Sequence, residues 1–199
     1  MEIKTLDAGT LRQLYDSHMK EDFPPSELRP YFSMKRLMES GNYRCFGYDD
    51  GTGLLAYALF AVKGSAALLD YYAVSPELRG QGVGQKFLGG LRDVSAEMGV
   101  PYVLIEVESV ESAETEEERE VRRRRIRFYE HCGCRMSRVK SFLFGVEYSI
   151  MYLPLTVEAV SDGEVRDGLA GIYDLVVGQL VSGPEEFRQV CRLWAEPEA

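Results

Sequence analysis

The sequence predicts an α+β chain: a mostly antiparallel central sheet of about six to seven strands flanked by helices, with a helical C-terminal extension. Three observations lead there. Short apolar runs rich in aromatic and β-branched residues recur along the chain, as strands do. Several of them follow one another across glycine-bearing turns, which is a hairpin pattern. Stretches with apolar residues every three or four positions lie between and after them, as amphipathic helices do. The 199 residues suit one domain, or one domain with a small appendage, and 45% apolar residues with 28% charged ones is enough to build a core.

The elements follow in order. "MEIKTL" alternates like an edge strand. Asp7 or Thr10 can then cap a helix carrying Leu11, Leu14 and Tyr15 on one face. The proline-punctuated "DFPPSELRP" separates it from a second helix near Phe32 to Ser40. "YRCFGYDDGTGLLAYALFAV" reads as a hairpin around "DDGTG", and "SAALLDYYAV" completes a meander. After a glycine turn, Val83, Phe87, Leu91, Val94 and Met98 mark a helix that stops at Gly99, and "PYVLIEVE" is the next strand. In the charged stretch from Glu111 to Glu130, Thr115 and Glu118 form a capping box, with acidic residues ahead of basic ones as the helix dipole favours. Two more strands surround "CRMSRVKSFLF" and "EYSIMYLPL". The expected division is a domain over residues 1–155 and a helical extension over 156–199. In the extension, Val165, Leu169, Ile172, Val176 and Leu180 share one helical face, and Phe187, Val190, Cys191 and Trp194 share another. These stripes bury against the domain or against a second subunit, and the latter would make a homodimer.

Charge and composition exclude some functions. A net charge of −9 argues against nucleic acid as the main partner, since duplex binding rests on a basic footprint. The arginine run at 122–125 has an acidic run beside it, so ion pairs within a solvated helix account for it. No apolar run approaches the ~18 residues of a membrane span, and the first residues lack a secretory pattern, so a cytoplasmic protein is expected. Cys45, Cys132, Cys134 and Cys191 form neither a disulfide framework nor, with His131, a zinc spacing; no metal is expected.

The stretch "ELRGQGVGQKF" carries the most chemistry. A phosphate-binding P-loop requires G-x-x-x-x-G-K-[ST], but Gln85 stands where its second glycine belongs and Phe87 follows Lys86. The dinucleotide pattern G-x-G-x-x-G also fails at Gln85, and a hairpin meander precedes it in place of a parallel unit. What remains is R-x-x-G-x-G, with Arg79, Gly82 and Gly84 in place, between a strand and a helix. Glycines let an anion approach the backbone, unpaired amides at the helix start stabilise its charge, and the arginine adds a fork. This is chemistry for a pyrophosphate.

Here the sequence resembles the GNAT superfamily of N-acetyltransferases. "YYAVSPELRGQGVGQKFL" is similar to its Q/R-x-x-G-x-G/A turn, "RFYEHCG" to its Y-x-x-x-G, and "LIEVE" to its L-E-V strand. The resemblance runs from about Met1 to Leu155 and implies a mixed sheet. It also implies acetyl-CoA as co-substrate, with the pyrophosphate on Arg79, Gly80, Gln81, Gly82, Val83 and Gly84. The pantetheine arm would pair with the backbone of Ala73 and Val74. Tyr129 would protonate the departing thiolate. Glu106 would take a proton from the acceptor, with Glu108, on the same side by strand alternation, in reserve. A base is needed because an ammonium has no lone pair, and deprotonating an amine of pKa about 10 at neutral pH costs on the order of 4 kcal/mol. Glu27, Arg29 and Tyr31 would wall the acceptor side, and the tail helix around Tyr173 would help write its identity. Arg122 stands where many members carry an asparagine that contacts the cofactor. The function expected is direct acetyl transfer to a primary amine of a small molecule or peptide. A non-catalytic acyl-CoA sensor and a generic nucleotide-binding module are the rivals.

Overall fold

The computed structural model describes residues 2–51, 53–95 and 98–197, and of Ser95 only the backbone. Four sequence expectations touch positions outside them: the strand start at Met1, Thr52 of the "DDGTG" turn, the helix through Ala96 and Glu97, and the last two residues of the extension. The chain forms two compact units, Met1–Val62 with Leu69–Val94, and Lys63–Leu68 with Ser95–Ala199.

The first unit begins with β1 (Glu2–Thr5) and α1 (Ala8–Leu14). Asp7 is the cap, its carboxylate accepting from the Thr10 amide at 2.8 Å and from the Thr10 hydroxyl at 2.8 Å. The helix widens by one turn over Tyr15–Met19 and ends in α2 (Lys20–Asp22). Phe23 is extended (φ −126°), as the residue before Pro24 must be. α3 (Tyr31–Glu39) buries Met34 and Leu37 and leaves Phe32 exposed. β2 (Tyr43–Asp49), β3 (Leu54–Lys63) and β4 (Ala66–Val74) follow, then a tight turn at Pro76–Leu78 and α4 (Val83–Ser95). The strand order in this unit is β1-β2-β3-β4, with β1–β2 and β2–β3 antiparallel. α4 lies close to β1: a Cβ on Gly90 would come within 2.7 Å of Ile3. Phe87 stacks on Tyr48 and Tyr72, at 5.3 and 5.6 Å between ring centres.

The second unit starts from the first residues of β4. Ala66–Leu68 pair in parallel with Tyr102–Leu104 of β5 (Tyr102–Glu108). α5 (Glu116–His131), β6 (Arg135–Leu143), β7 (Val146–Pro154), α6 (Asp162–Val176), α7 (Pro184–Val190) and β8 (Cys191–Ala195) complete it. Its strand order is β4-β5-β7-β6-β8, and β5–β7, β6–β7 and β6–β8 are antiparallel. One parallel pair among antiparallel ones makes the sheet mixed, as expected. α6 is closely packed at Gly168, where a Cβ would meet Ala66 at 2.8 Å and the Tyr102 hydroxyl at 2.9 Å.

Two expectations need correction. The described residues hold eight strands, not six or seven, and the C-terminal extension is not wholly helical. The stripe Phe187, Val190, Cys191, Trp194 fits a helix, but the helix ends at Val190 and Cys191 and Trp194 belong to β8. The physical reason is the open edge of β6. Its backbone groups from Val139 to Leu143 need partners, and pairing with Ala195 to Cys191 supplies them.

Candidate active site

The glycine turn is built by backbone conformation. Gly80 (φ 76°) and Gly82 (φ 78°) are both left-handed, where any other L-residue is strained. The first bond of α4 runs from the Lys86 amide to the Gly82 carbonyl at 3.0 Å. The amides of Val83, Gly84 and Gln85 therefore have no helical carbonyl behind them. The Gln81 amide instead turns back to the Leu78 carbonyl at 3.3 Å. The Tyr72 hydroxyl donates to the Gly84 carbonyl at 2.6 Å and pins the first turn of α4 to β4.

Arg79 folds over the end of β4. Its Nε donates to the Val74 carbonyl at 3.0 Å, and its Nη2 lies 3.5 Å from Asp22. Its side chain remains 58% exposed, so the guanidinium is accessible to an anion at the turn. Asp22 also accepts from the Tyr57 hydroxyl at 2.7 Å. These three residues, with His18, Glu21, Leu54, Ser75 and Pro76, line a cavity of about 200 Å³. Ala73 is buried at the end of the same strand.

The expected acceptor residues of this unit occupy different settings. Arg29 is nearly buried and forms an ion pair with Asp70 at 3.3 Å. Asp70 accepts in addition from the Tyr43 hydroxyl, which burial, and then the Asp70 charge, keeps well above the usual phenol range. The Tyr71 hydroxyl accepts from the Arg29 amide at 2.7 Å and donates to the Glu27 carbonyl at 2.8 Å, while the Glu27 side chain is exposed. Tyr31 packs on Tyr15 at 5.5 Å under the Arg12 guanidinium. Arg29 thus stands among buried phenols and a carboxylate, while Glu27 and Tyr31 lie nearer the surface.

In the second unit, β5 carries Glu106 and Glu108 on one side, and they find different partners. Glu106 accepts from the hydroxyl of Tyr173 on α6, which also lies 2.9 Å from Ser141 Oγ on β6. Glu108 faces Arg125 at 3.1 Å and Arg122 at 3.7 Å. Arg122 itself donates to the Ser109 carbonyl at 2.6 Å, tying α5 to the end of β5.

Tyr129 sits in the last turns of α5, 8% exposed, with its ring edge-on to Phe128 at 5.2 Å. Burial holds its O–H above the ordinary phenol range. Its place is fixed by the helix stop. Gly133 is left-handed (φ 88°), so the Cys134 amide reaches back to the Tyr129 carbonyl at 3.0 Å and the Gly133 amide to Glu130 at 2.9 Å. This is a Schellman closure, and it explains why a glycine four positions after the tyrosine matters. Among the described residues no three His, Cys, Asp or Glu side chains are grouped to hold a metal ion. No described helix is long and apolar enough to cross a membrane.

A family model for the acetyltransferase (GNAT) family matches residues 10–134, from α1 through the Schellman closure. The chain belongs to this family. It is an acetyltransferase on that membership. Solved structures agree in fold at low identity. A GNAT-family acetyltransferase from Bacteroides thetaiotaomicron is 17% identical, with 89% of this chain and 98% of that one covered and a TM-score of 0.67. The ribosomal-protein-S18-alanine N-acetyltransferase of Escherichia coli is 21% identical, with 79% and 96% covered and a TM-score of 0.54. The spermidine N-acetyltransferase of Vibrio cholerae, in complex with CoA and spermine, is 13% identical, with 78% and 95% covered and a TM-score of 0.57. No curated protein matches the sequence.

Within the GNAT frame, sequence reasoning passed over Tyr72, Tyr57, Asp22 and Asp70. Each is a polar group in or beside an apolar run, and only its distant partner reveals its role. Tyr173 had drawn notice as an acceptor-side residue, but nothing in its spacing announced Glu106 as its partner.

Proposed function

We propose that this GNAT protein moves an acetyl group from acetyl-CoA directly to a primary amine. The observation that carries the reading is the turn at Gly80 and Gly82, whose two left-handed glycines lead into the unpaired amides at the start of α4. That backbone suits a pyrophosphate. Arg79 would exchange its contacts with Asp22 and the Val74 carbonyl for the same anion, freeing that carbonyl for the pantetheine amide beside Ala73.

The chemistry then follows from the side chains. Glu106 accepts a proton from the ammonium, directly or through a water, which gives the nitrogen its lone pair. The amine attacks the thioester carbonyl carbon and a C–N bond forms. As the C–S bond breaks, the nitrogen gives up its second proton, which restores the phenol of Tyr129 through solvent, and Glu106 releases its own proton to water. Tyr129 donates its proton to the departing sulfur. A phenol raised by burial remains protonated at neutral pH and is available for that step. The net charge of −9 suits a cationic amine, and two of the structural neighbours are named for amine substrates, spermidine and an alanine of a ribosomal protein. Glu27, Arg29, Tyr31 and Glu108 are the proposed acceptor-side residues.

The test is thermal stabilisation by CoA, followed by thiol release from acetyl-CoA across a panel containing spermidine, lysine and an alanyl peptide. Stabilisation by CoA and turnover with at least one amine are expected. Protection by ATP or NAD but not by CoA would overturn the donor assignment. Glu106→Gln should lower turnover about a hundredfold, and full activity in that variant would remove Glu106 as the base. CoA binding without turnover on any amine would favour the sensor reading, which Arg122 in place of the usual asparagine supports.

A further inference from the structure

Resting on the assignment of Glu106 as proton acceptor, we propose that Tyr173 of α6 is its positioning residue, holding the carboxylate through a hydrogen bond that the C-terminal extension supplies. Three observations carry this. Tyr173 is 1% exposed and Ser141 is fully buried, so neither hydroxyl can turn to solvent. The phenol touches both the Glu106 carboxylate and Ser141 Oγ, and it has one proton to give. An ionised carboxylate offers none, so the phenol proton goes to Glu106 and the serine hydroxyl donates to the phenol oxygen. The three groups form a one-way chain, Ser141 to Tyr173 to Glu106, in which each bond polarises the next. Third, the phenol remains a donor at working pH, because burial first and the Glu106 charge second hold it well above its usual range.

The elements packed around Glu106 bring the following groups toward it. β7 sets apolar Ile150 opposite Glu106 in the ladder. β8 brings the Cys191 thiol, which burial, and then the charges of Glu106 and Asp174, push up to about 12, so it stays neutral. On β6, Lys140 turns to Ser149, Glu111 and Glu196. Arg122 and Arg125 of α5 are directed to Glu108. Tyr173 reaches Glu106 because α6 is held down by the buried stripe of Val165, Leu169, Ile172 and Val176.

The proposal is tested by carboxyl-carbon NMR of protein labelled at glutamate, with the Glu106 resonance assigned by its loss in Glu106→Gln. No acceptor is needed. Tyr173→Phe keeps the ring and removes the donor, and should raise the Glu106 titration midpoint by about one unit. Ser141→Ala, which removes only the second donor in the chain, should shift it the same way by less, and it replaces Tyr173→Phe if that variant does not fold. An unchanged midpoint in the folded variants overturns the proposal. Failure of the base assignment shows separately, as undiminished turnover in Glu106→Gln with the Tyr173-dependent midpoint intact.

Discussion

Tyr129 and Arg29 show what one residue reveals and hides in a sequence. The place of Tyr129 on its helix was legible because the helix stop lies within the same few residues: Gly133 closes α5 by local geometry, and local geometry leaves a spacing. Tyr129→Phe should lower turnover about a hundredfold and leave the CoA dissociation constant within about twofold, as loss of a proton donor used only in the chemical step does. Single-turnover thiol release and a CoA titration read the two quantities, and unaltered turnover would end the leaving-group role. Arg29 is expected on the acceptor side because the family resemblance puts its loop there, and the structure adds a buried ion pair that the loop does not announce. Its partner Asp70 is far away in sequence, so no spacing announces the pair. Both side chains are only 10% exposed, so Arg29→Ala strands a buried carboxylate and should cost about 3 kcal/mol. At that size the melting temperature falls by about 10 °C. A change no larger than that from breaking the exposed Lys35–Glu39 pair would show that Arg29 is not structural.

Among elements, the strands and helices were legible wherever one period dominated, and β8 shows the limit. Phe187, Val190, Cys191 and Trp194 satisfy the helical period, while Cys191, Leu193 and Ala195 also alternate, and the available edge of β6 decides between them. A sequence read alone cannot weigh an edge it has not yet assembled. α6 was easier, since Ser161 and Glu164 form a reciprocal capping box at its start. The Ser161 hydroxyl, with the Ser161 amide, holds the Glu164 carboxyl below its ordinary value, and the Arg138 amide and then its guanidinium do the same for Asp162. The folded-state values lie below the unfolded ones, so this stabilisation is complete above the unfolded range, about pH 4, and is lost as pH falls through the folded values. Amides in the first turns of α6 should therefore exchange faster with deuterium as pH falls below about 4, after correction for intrinsic rates, and ahead of those in β5 and β7. Uniform loss of protection across all three would contradict the cap's role.

For the molecule as a whole, the fold class was legible because the motifs come in a fixed order, but the division into compact units was not. Its boundaries fall at Val62/Lys63, Leu68/Leu69 and Val94/Ser95, and the second lies inside the apolar run of β4, where no linker or change of composition marks it. The proposed roles divide along the same line. The pyrophosphate turn with Arg79 belongs to the first unit, and Glu106 and Tyr129 belong to the second. If Arg79 contributes only to holding CoA and Tyr129 only to the chemical step, their effects on kcat/KM multiply. Arg79→Ala should weaken CoA binding about tenfold, the value of one charge-assisted contact, with kcat little changed at saturation. The variant with both changes should then show the product of the two single losses within about twofold. A smaller combined loss would mean that pyrophosphate binding energy is also used to place the thioester for reaction, since an interaction spent on orientation lowers kcat when it is removed. Measuring kcat and the CoA dissociation constant for wild type, both single variants and the double variant separates the two cases.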